Sequence, residues 1–371
     1  MKLLHVVGAR PNFMKLAPVL LAGRSARDVE QVVVHTGQHY DREMSDRFFD
    51  DLAIPRPDEN LDVGSGSHAQ QTAAIMARFE PVLERVRPDW VVVYGDVNST
   101  MAATLVASKL GVRVAHVEAG LRSRDRTMPE EINRLVTDQL ADLLLPPSRD
   151  AIENLLAEGI PAHRIVFVGN VMVDTLLRLR EQAKATGMPR TLGVAGAPYA
   201  FVTLHRPSNV DQGETLRELL LGLQDLAGRM PVLFAVHPRT RERITRFGLD
   251  AVAPGVRLLN PLGYLETIAL ADTAAMVITD SGGLQEETTV LGVPCLTVRA
   301  NTERPVTVTE GTNRLVRSTR QALGEAVNSV WEARQGGRYT PRRPELWDGR
   351  AGERVIAALA ATSLSLPGAP G

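Results

Sequence analysis

The sequence of 371 residues holds one cysteine, Cys295 in "GVPCLTV", so no intramolecular disulfide can form. A lone thiol among apolar neighbours reads as inert core, and reactive chemistry must come from other residue types. Neither sign of charge is in excess: 42 Lys and Arg against 43 Asp and Glu leave a formal net charge of −1. Bulk electrostatics therefore give no reason to expect nucleic acid or a membrane as partner, while a local basic cleft for a phosphorylated small molecule remains open. No window reaches the roughly 18 unbroken apolar residues of a spanning helix. The opening "MKLLHVVGARP" closes at Arg10-Pro11 before a signal segment could form. A soluble, cytoplasmic protein is the expectation.

Two cofactor patterns are missing as well. There is no strand followed by G-x-G-x-x-G, so nothing points to NAD. "HTGQH" spaces His35 and His39 for a metal only on a helix, which this segment is not, and there is no H-E-x-x-H; no metal is expected.

What is present is ordinary globular material, 44% hydrophobic, in an alternation of short β-branched runs and longer helical patterns. Candidate strands are 3–8, 31–36, 90–95, 112–117, 143–147 and 165–169, then 199–204, 231–236, 256–260, 274–279 and 294–298. Several are apolar on both faces, as strands of a helix-covered parallel sheet must be. The βαβα order predicts α/β doubly wound sheets, and eleven strands are too many for one. The Gly- and Pro-rich stretch 185–198 reads as a linker. Two Rossmann-like domains are therefore expected: residues 1–185, to which the C-terminal helix 350–363 is a candidate to return, and 186–349. The tail "SLSLPGAPG" is expected to fray.

"VYGDVNST" (93–100) and "HVEAGLRS" (116–123) each place an acid, Asp96 or Glu118, just past an apolar run. If these strands are parallel, both acids reach the carboxyl edge of one sheet, where open α/β folds bind ligands. "MPEEINR" adds Glu130 and Glu131 in a first helical turn. Each acid alone could equally cap a helix; clustered, they can supply an acid and a base from one residue type. Arg10 and Lys15 follow the first strand, where they could grip an anion or pair with Asp96. "TDSGGLQEE" is a strand end, a Ser-Gly-Gly turn and a helix start: an anion site at Ser281, Gly282 and Gly283, with Glu286 and Glu287 one turn in. His205, His237 and Arg304 follow other strands of the second series.

In chain order, "GARPNFMKLAP", "GDVNST", "HVEAGLRS", "MPEEINR", "VGNVMVD", "HRPSN", "TDSGGLQEE", "GVPCLTVR" and "TERP…GTN" resemble the signature blocks of the bacterial and archaeal UDP-N-acetylglucosamine 2-epimerases of the non-hydrolysing type. The resemblance runs from about residue 3 to 316. It implies GT-B architecture, two doubly wound domains facing a central cleft, with a UDP-sugar there, a homodimer, and no cofactor. The implied reaction eliminates UDP from UDP-GlcNAc to give 2-acetamidoglucal, then re-adds it to give UDP-ManNAc. By motif position Asp96, Glu118 and Glu130 are the proton-transfer and sugar-orienting carboxylates, and His205 assists departure of UDP. Arg10, Lys15, Arg134 and Arg304 match the family's basic positions, and Ser281, Gly282, Gly283 and Glu287 would hold diphosphate and ribose. Which acid is the base is not fixed.

The sequence departs from the family pattern in two places. "TGQHYDREMSD" (36–46) carries two extra residues where many members bind an activating second UDP-GlcNAc, and Asn12 stands where many carry Glu. The longer segment resembles relatives acting on modified UDP-amino sugars, diacetamido-uronates and 6-deoxy sugars among them. Rival readings are a GT-B glycosyltransferase, a hydrolysing epimerase, and a UDP-sugar sensor without catalysis.

Overall fold

A computed structural model describes residues 1–37, 49, 52 and 54–365, with Arg10, Leu364 and Ser365 described in their backbone only. Residues 38–46 of the activator-like segment and the last residues of the tail lie outside the described residues, as does the side chain of Arg10. The chain divides into two compact units, residues 1–175 with 345–371, and residues 176–344.

The first unit holds β1 (Lys2–Val7), β2 (Glu30–His35), β3 (Glu59–Asn60), β4 (Trp90–Tyr94), β5 (Arg113–Val117) and β6 (Leu143–Leu145) in a parallel sheet of order β3-β2-β1-β4-β5-β6. Trp90, Val91, Val92, Val93 and Tyr94 are all fully buried, because helices cover both faces of the strand. The second unit holds β7 (Ala200–Thr203), β8 (Val232–Ala235), β9 (Val256–Leu259), β10 (Met276–Thr279), β11 (Cys295–Val298) and β12 (Asn313–Val316), ordered β12-β11-β10-β7-β8-β9. Numbered within its own unit, each sheet has the Rossmann order 3-2-1-4-5-6. Its switch point lies between β1 and β4 in the first unit and between β7 and β10 in the second.

Three sequence expectations are corrected. Residues 165–169 form no strand; Ile165 makes one isolated bridge to Leu144, after Pro161 and a short 3-10 turn have steered the chain across the sheet edge. Two strands were not anticipated: β3, two polar residues long, and β12, interrupted by Arg314. The stretch 185–198 is no linker between units. It lies within the second unit, where it turns as a short helix (Met188–Thr191), and Met188, Leu192 and Val194 pack against Tyr199 and Phe201. The division between units falls earlier, inside the helix Val171–Ala185.

The last helix, Ala351–Ser365, belongs to the first unit. Asp174 accepts hydrogen bonds from the backbone N–H of Ala351 (3.1 Å) and Gly352 (2.8 Å), anchoring its start, and Trp90 Nε1 donates to Ser363 Oγ at 2.8 Å. Cys295 is buried in β11 with its thiol pushed up to about 11 by burial, as an inert core cysteine should be.

Candidate functional site

In the first unit, charged groups gather at the switch point. Past β1 the chain turns through Gly8 and Ala9 into the helix Arg10–Ser25. Asn12 is buried there: its Oδ1 accepts from the N–H groups of Gly8 (3.3 Å) and Ala9 (3.1 Å), and its Nδ2 donates to the carbonyl of Tyr94 at 2.8 Å. A neutral amide thus ties the ends of β1 and β4 together. One turn on, Lys15 Nζ lies 2.9 Å and 2.8 Å from the two carboxylate oxygens of Glu118, and both side chains are buried. The ammonium passes over Gly95, where a Cβ would stand 2.4 Å from Nζ; with φ of +62°, that position needs glycine on both counts. Glu118 itself has φ of +72°, a left-handed backbone costing a non-glycine residue about 1–3 kcal/mol. Strain of this kind is characteristic of functional sites.

Asp96 follows Gly95 and is a quarter exposed. Its carboxylate takes Arg134 Nη1 at 2.5 Å, so the partner of Asp96 is this arginine from the helix Pro129–Leu140. Asn133 of the same helix donates to the Asp96 carbonyl at 2.9 Å. Arg134 is held from behind by Glu131 at 2.9 Å. Burial pushes the Glu131 carboxyl up, but hydrogen bonds from Ser123 and Arg134 outweigh it and hold the group below its usual range. The adjacent acids of "PEE" therefore differ. Glu131 is a buried strut, while Glu130 is partly exposed and has no hydrogen-bonding or ionic partner among the described residues.

In the second unit the switch point is organised by Asp280, a residue the sequence reading passed over. It directly follows β10 and is fully buried. It accepts from the backbone N–H of His205 (3.0 Å) and Arg206 (2.9 Å) and from Asn209 Nδ2 (2.9 Å), and pairs with His205 Nδ1 at 2.9 Å. Burial alone would raise its pKa; the His205 contact, charge attraction and amide donors win and lower it. The signal was available, since Asp280 ends a core strand as Asp96 does. The rings of His205 and His237 lie 5.6 Å apart. His237 caps the helix Pro238–Arg246, its Nδ1 accepting from Arg239 N–H at 3.2 Å, and burial, then the neighbouring His205, lowers its pKa.

Ser281 is the N-cap of the helix Gly282–Leu291, yet its hydroxyl makes no capping bond. Beside this helix start sits a packed charge relay. Arg304 Nε meets Glu286 at 2.9 Å and its Nη1 meets Glu303 at 2.5 Å; Glu303 also takes Arg299 at 2.7 Å. Despite burial, the two arginines hold the Glu303 carboxyl far below its usual range. Gly282 admits this arrangement, because a Cβ there would stand 2.8 Å from Arg304 Nη1. Glu287 is buried beside Tyr264 and pushed up to about 7, burial prevailing over the Tyr264 hydrogen bond. Among the described residues no group of three or more His, Cys, Asp or Glu is placed to hold a metal ion, and no helix is long and apolar enough to cross a membrane.

Two doubly wound sheets, each with acids and cations gathered at its switch point, define the class of paired Rossmann-like α/β enzymes. The chain belongs to the UDP-N-acetylglucosamine 2-epimerase family, whose model matches residues 22–360. It is 40% identical to the UDP-N-acetylglucosamine 2-epimerase of Methanocaldococcus jannaschii, over 97% of this chain and 99% of that one. It is 41% identical to the UDP-2,3-diacetamido-2,3-dideoxy-D-glucuronate 2-epimerase of Pseudomonas aeruginosa, over 93% and 99%. The crystal structure of the M. jannaschii UDP-GlcNAc 2-epimerase in complex with UDP-GlcNAc and UDP superposes with a TM-score of 0.85 at 39% identity, covering 97% of this chain and 100% of that one. The Neisseria meningitidis UDP-GlcNAc 2-epimerase bound to UDP-GlcNAc gives 0.88 at 31% identity, with the same coverage.

Proposed function

We propose that the protein epimerises C2 of a UDP-2-acetamido sugar, converting UDP-GlcNAc to UDP-ManNAc. The observation that carries this reading is the pair of acids on adjacent parallel strands: Asp96 just past β4 and Glu118 just past β5, with Tyr94 and Val117 in register. Each carboxylate has its own cation, Arg134 or Lys15. In the proposed reaction one carboxylate takes the C2 proton, the C1–O bond to the diphosphate breaks, and 2-acetamidoglucal and UDP remain bound. UDP then re-adds at C1 while a proton reaches the opposite face of C2. Asp96, Glu118 and Glu130 are the proposed proton-transfer and sugar-orienting groups. His205, oriented by Asp280, and Arg304 would meet the leaving diphosphate, with Ser281, Gly282, Gly283 and Glu287 around it. Arg10, Lys15, Arg134 and His237 complete the proposed binding set. A cytoplasmic homodimer belongs to the same reading.

A second substrate reading has its own support: identity to the diacetamido-glucuronate epimerase equals that to the UDP-GlcNAc enzyme within a percentage point. The test is proton NMR of the protein with either UDP-sugar in D₂O, without acceptor. The expected result is the C2 epimer carrying deuterium at C2. Epimer without deuterium would refute proton exchange at that carbon, and turnover of the diacetamido sugar alone would move the assignment to the second reading.

A further inference from the structure

Behind the two acids of the first unit lies a second charge system, buried except at its outer end, Glu158. His116, in β5, is fully buried. Its Nδ1 lies 2.6 Å from Asp138 Oδ1 and its Nε2 lies 2.8 Å from the carbonyl oxygen of Gly95. A backbone carbonyl only accepts, so Nε2 must carry a proton. Asp138 is also fully buried, and its other oxygen takes Arg122 Nη1 at 2.7 Å and the N–H of Gly120 at 3.1 Å. With those donors the carboxylate is ionised and accepts from Nδ1 as well. Both ring nitrogens therefore face acceptors, and the hydrogen-bond inventory of a histidine so placed is satisfied by the imidazolium. Arg122 is in turn clamped by Glu158, Nε at 2.8 Å and Nη2 at 2.6 Å. The chain of contacts runs Glu158, Arg122, Asp138, His116, Gly95.

The end of that chain is the residue before Asp96. Gly95 has a left-handed backbone, donates its N–H to the Val117 carbonyl at 3.0 Å, and carries Lys15 above it. Asp138 also sits on the same helix as Arg134 and Asn133, which hold the Asp96 carboxylate and carbonyl. Two residues beyond His116 stands Glu118. One buried cation is thus hydrogen-bonded to the turn that presents Asp96 and is part of the strand that presents Glu118.

We propose that His116, held as an imidazolium between Asp138 and the Gly95 carbonyl, is a positioning residue that fixes the Asp96 turn relative to Glu118. His116 does not touch substrate in this arrangement; it acts through Gly95. Asp138 supplies the countercharge that keeps both ring protons in place. The kinetic consequence rests on the epimerase reading, whereas the protonation and the placement of the turn do not.

The test separates the two ring contacts by side-chain geometry. In His116→Gln the amide nitrogen falls near the place of Nε2 and can still donate to Gly95; in His116→Asn it falls near Nδ1 and can donate only to Asp138. Nitrogen NMR of the wild-type protein at neutral pH should show both His116 ring nitrogens protonated, and Asp138→Asn should abolish one of the two. The Asp96 amide resonance should move in His116→Asn and stay nearly in place in His116→Gln. In turnover, His116→Asn should lower kcat by about 10- to 100-fold with KM changed less than about threefold, the scale of a small misplacement of a reacting group, and His116→Gln should recover most of it. A pyridine-type signal from either wild-type ring nitrogen overturns the proposal. So do equal losses in the two variants, or a loss of kcat that follows thermal stability. Absence of turnover with every UDP-sugar would instead refute the epimerase reading, and the NMR comparisons would still decide the role of His116.

Discussion

The buried pair Lys15 and Glu118 allows a direct energetic test of how the first unit holds its acids. The perturbation is Lys15→Met, which keeps an unbranched stem and removes the terminal ammonium with its charge. Nζ touches both Glu118 oxygens at 2.8–2.9 Å, and the side chains are 7% and 2% exposed, so solvent screens the pair little. Removing one partner of such a pair costs about 3–5 kcal/mol, because the other charge stays buried without its counter-ion. For a unit of this size each kcal/mol moves Tm by about 2–4 °C, so a fall of roughly 6–20 °C is expected. Trp90 and Trp347 are buried in the first unit and Trp331 lies in the second. Urea unfolding followed by tryptophan fluorescence in a Trp331→Phe background therefore reports the first unit. Glu118→Gln alone leaves a buried ammonium and should also destabilise. The double variant removes both charges, and the cycle should return a coupling energy of about 2–3 kcal/mol. Coupling below about 0.5 kcal/mol, the level of independent sites, would refute the claim that these two charges are held on each other.

Two further outcomes follow from other parts of the molecule. Asp174, which anchors the last helix, is pushed up to about 6 because burial outweighs its two backbone hydrogen bonds. The folded unit then binds a proton more tightly than the unfolded chain does. Its stabilising contribution is complete below about pH 4 and is lost as pH rises through 6, a change of about 3 kcal/mol that Asp174→Asn should remove from the stability–pH profile of the first unit. At the other helix start, Gly282→Ala should displace Arg304 and destabilise the second unit, whereas Gly283→Ala meets open space and should leave folding intact. If the diphosphate docks on that terminus, Gly283→Ala should still weaken UDP binding about tenfold, by calorimetry, through its added methyl; unchanged affinity would place the diphosphate elsewhere.

The strands that could be read in advance are those whose chemistry is local. "WVVVY" is apolar on both faces wherever it sits, and β-branched residues favour the extended chain. What defines β3 and β12 is the neighbour. Glu59 and Asn60 become a strand because Val34 and His35 offer an open edge, and Asn313–Val316 because β11 does. Nothing in "EN" or "NRLV" announces that. The converse failure is "IVFVG", apolar and β-branched, which finds only one bridge at the edge of β6. The stretch 185–198 misled for a related reason. Its glycines and prolines mark turns, and the turns are there, but between them Val194 is a core residue of the second unit, and Met188 and Leu192, partly buried, pack against that core.

For the candidate site, residue type and strand position were enough to single out Asp96, Glu118, His205 and the Ser-Gly-Gly turn. They were not enough to say which acids face a ligand and which hold the scaffold. Glu130, Glu131, Asp138 and Asp280 all follow strands or lie on the helix beside them, and only packing separates them. Helical spacing carries part of the missing information. Glu131, Arg134 and Asp138 stand at i, i+3 and i+7, one face of the helix Pro129–Leu140, and all three are buried. Glu130, four residues before Arg134, borders the same face, but it stands in the first turn of the helix and remains partly exposed. The buried stripe spends its charges on the protein itself: Glu131 on Ser123 and Arg134, Arg134 on Asp96, Asp138 on His116 and Arg122. A stripe of alternating acid and base at helical spacing, next to a strand that ends in His-x-Glu, is therefore the sequence mark of a helix that positions acids. Under the epimerase reading, Glu130, the acid of this helix without a protein partner among the described residues, is the one proposed to meet the substrate.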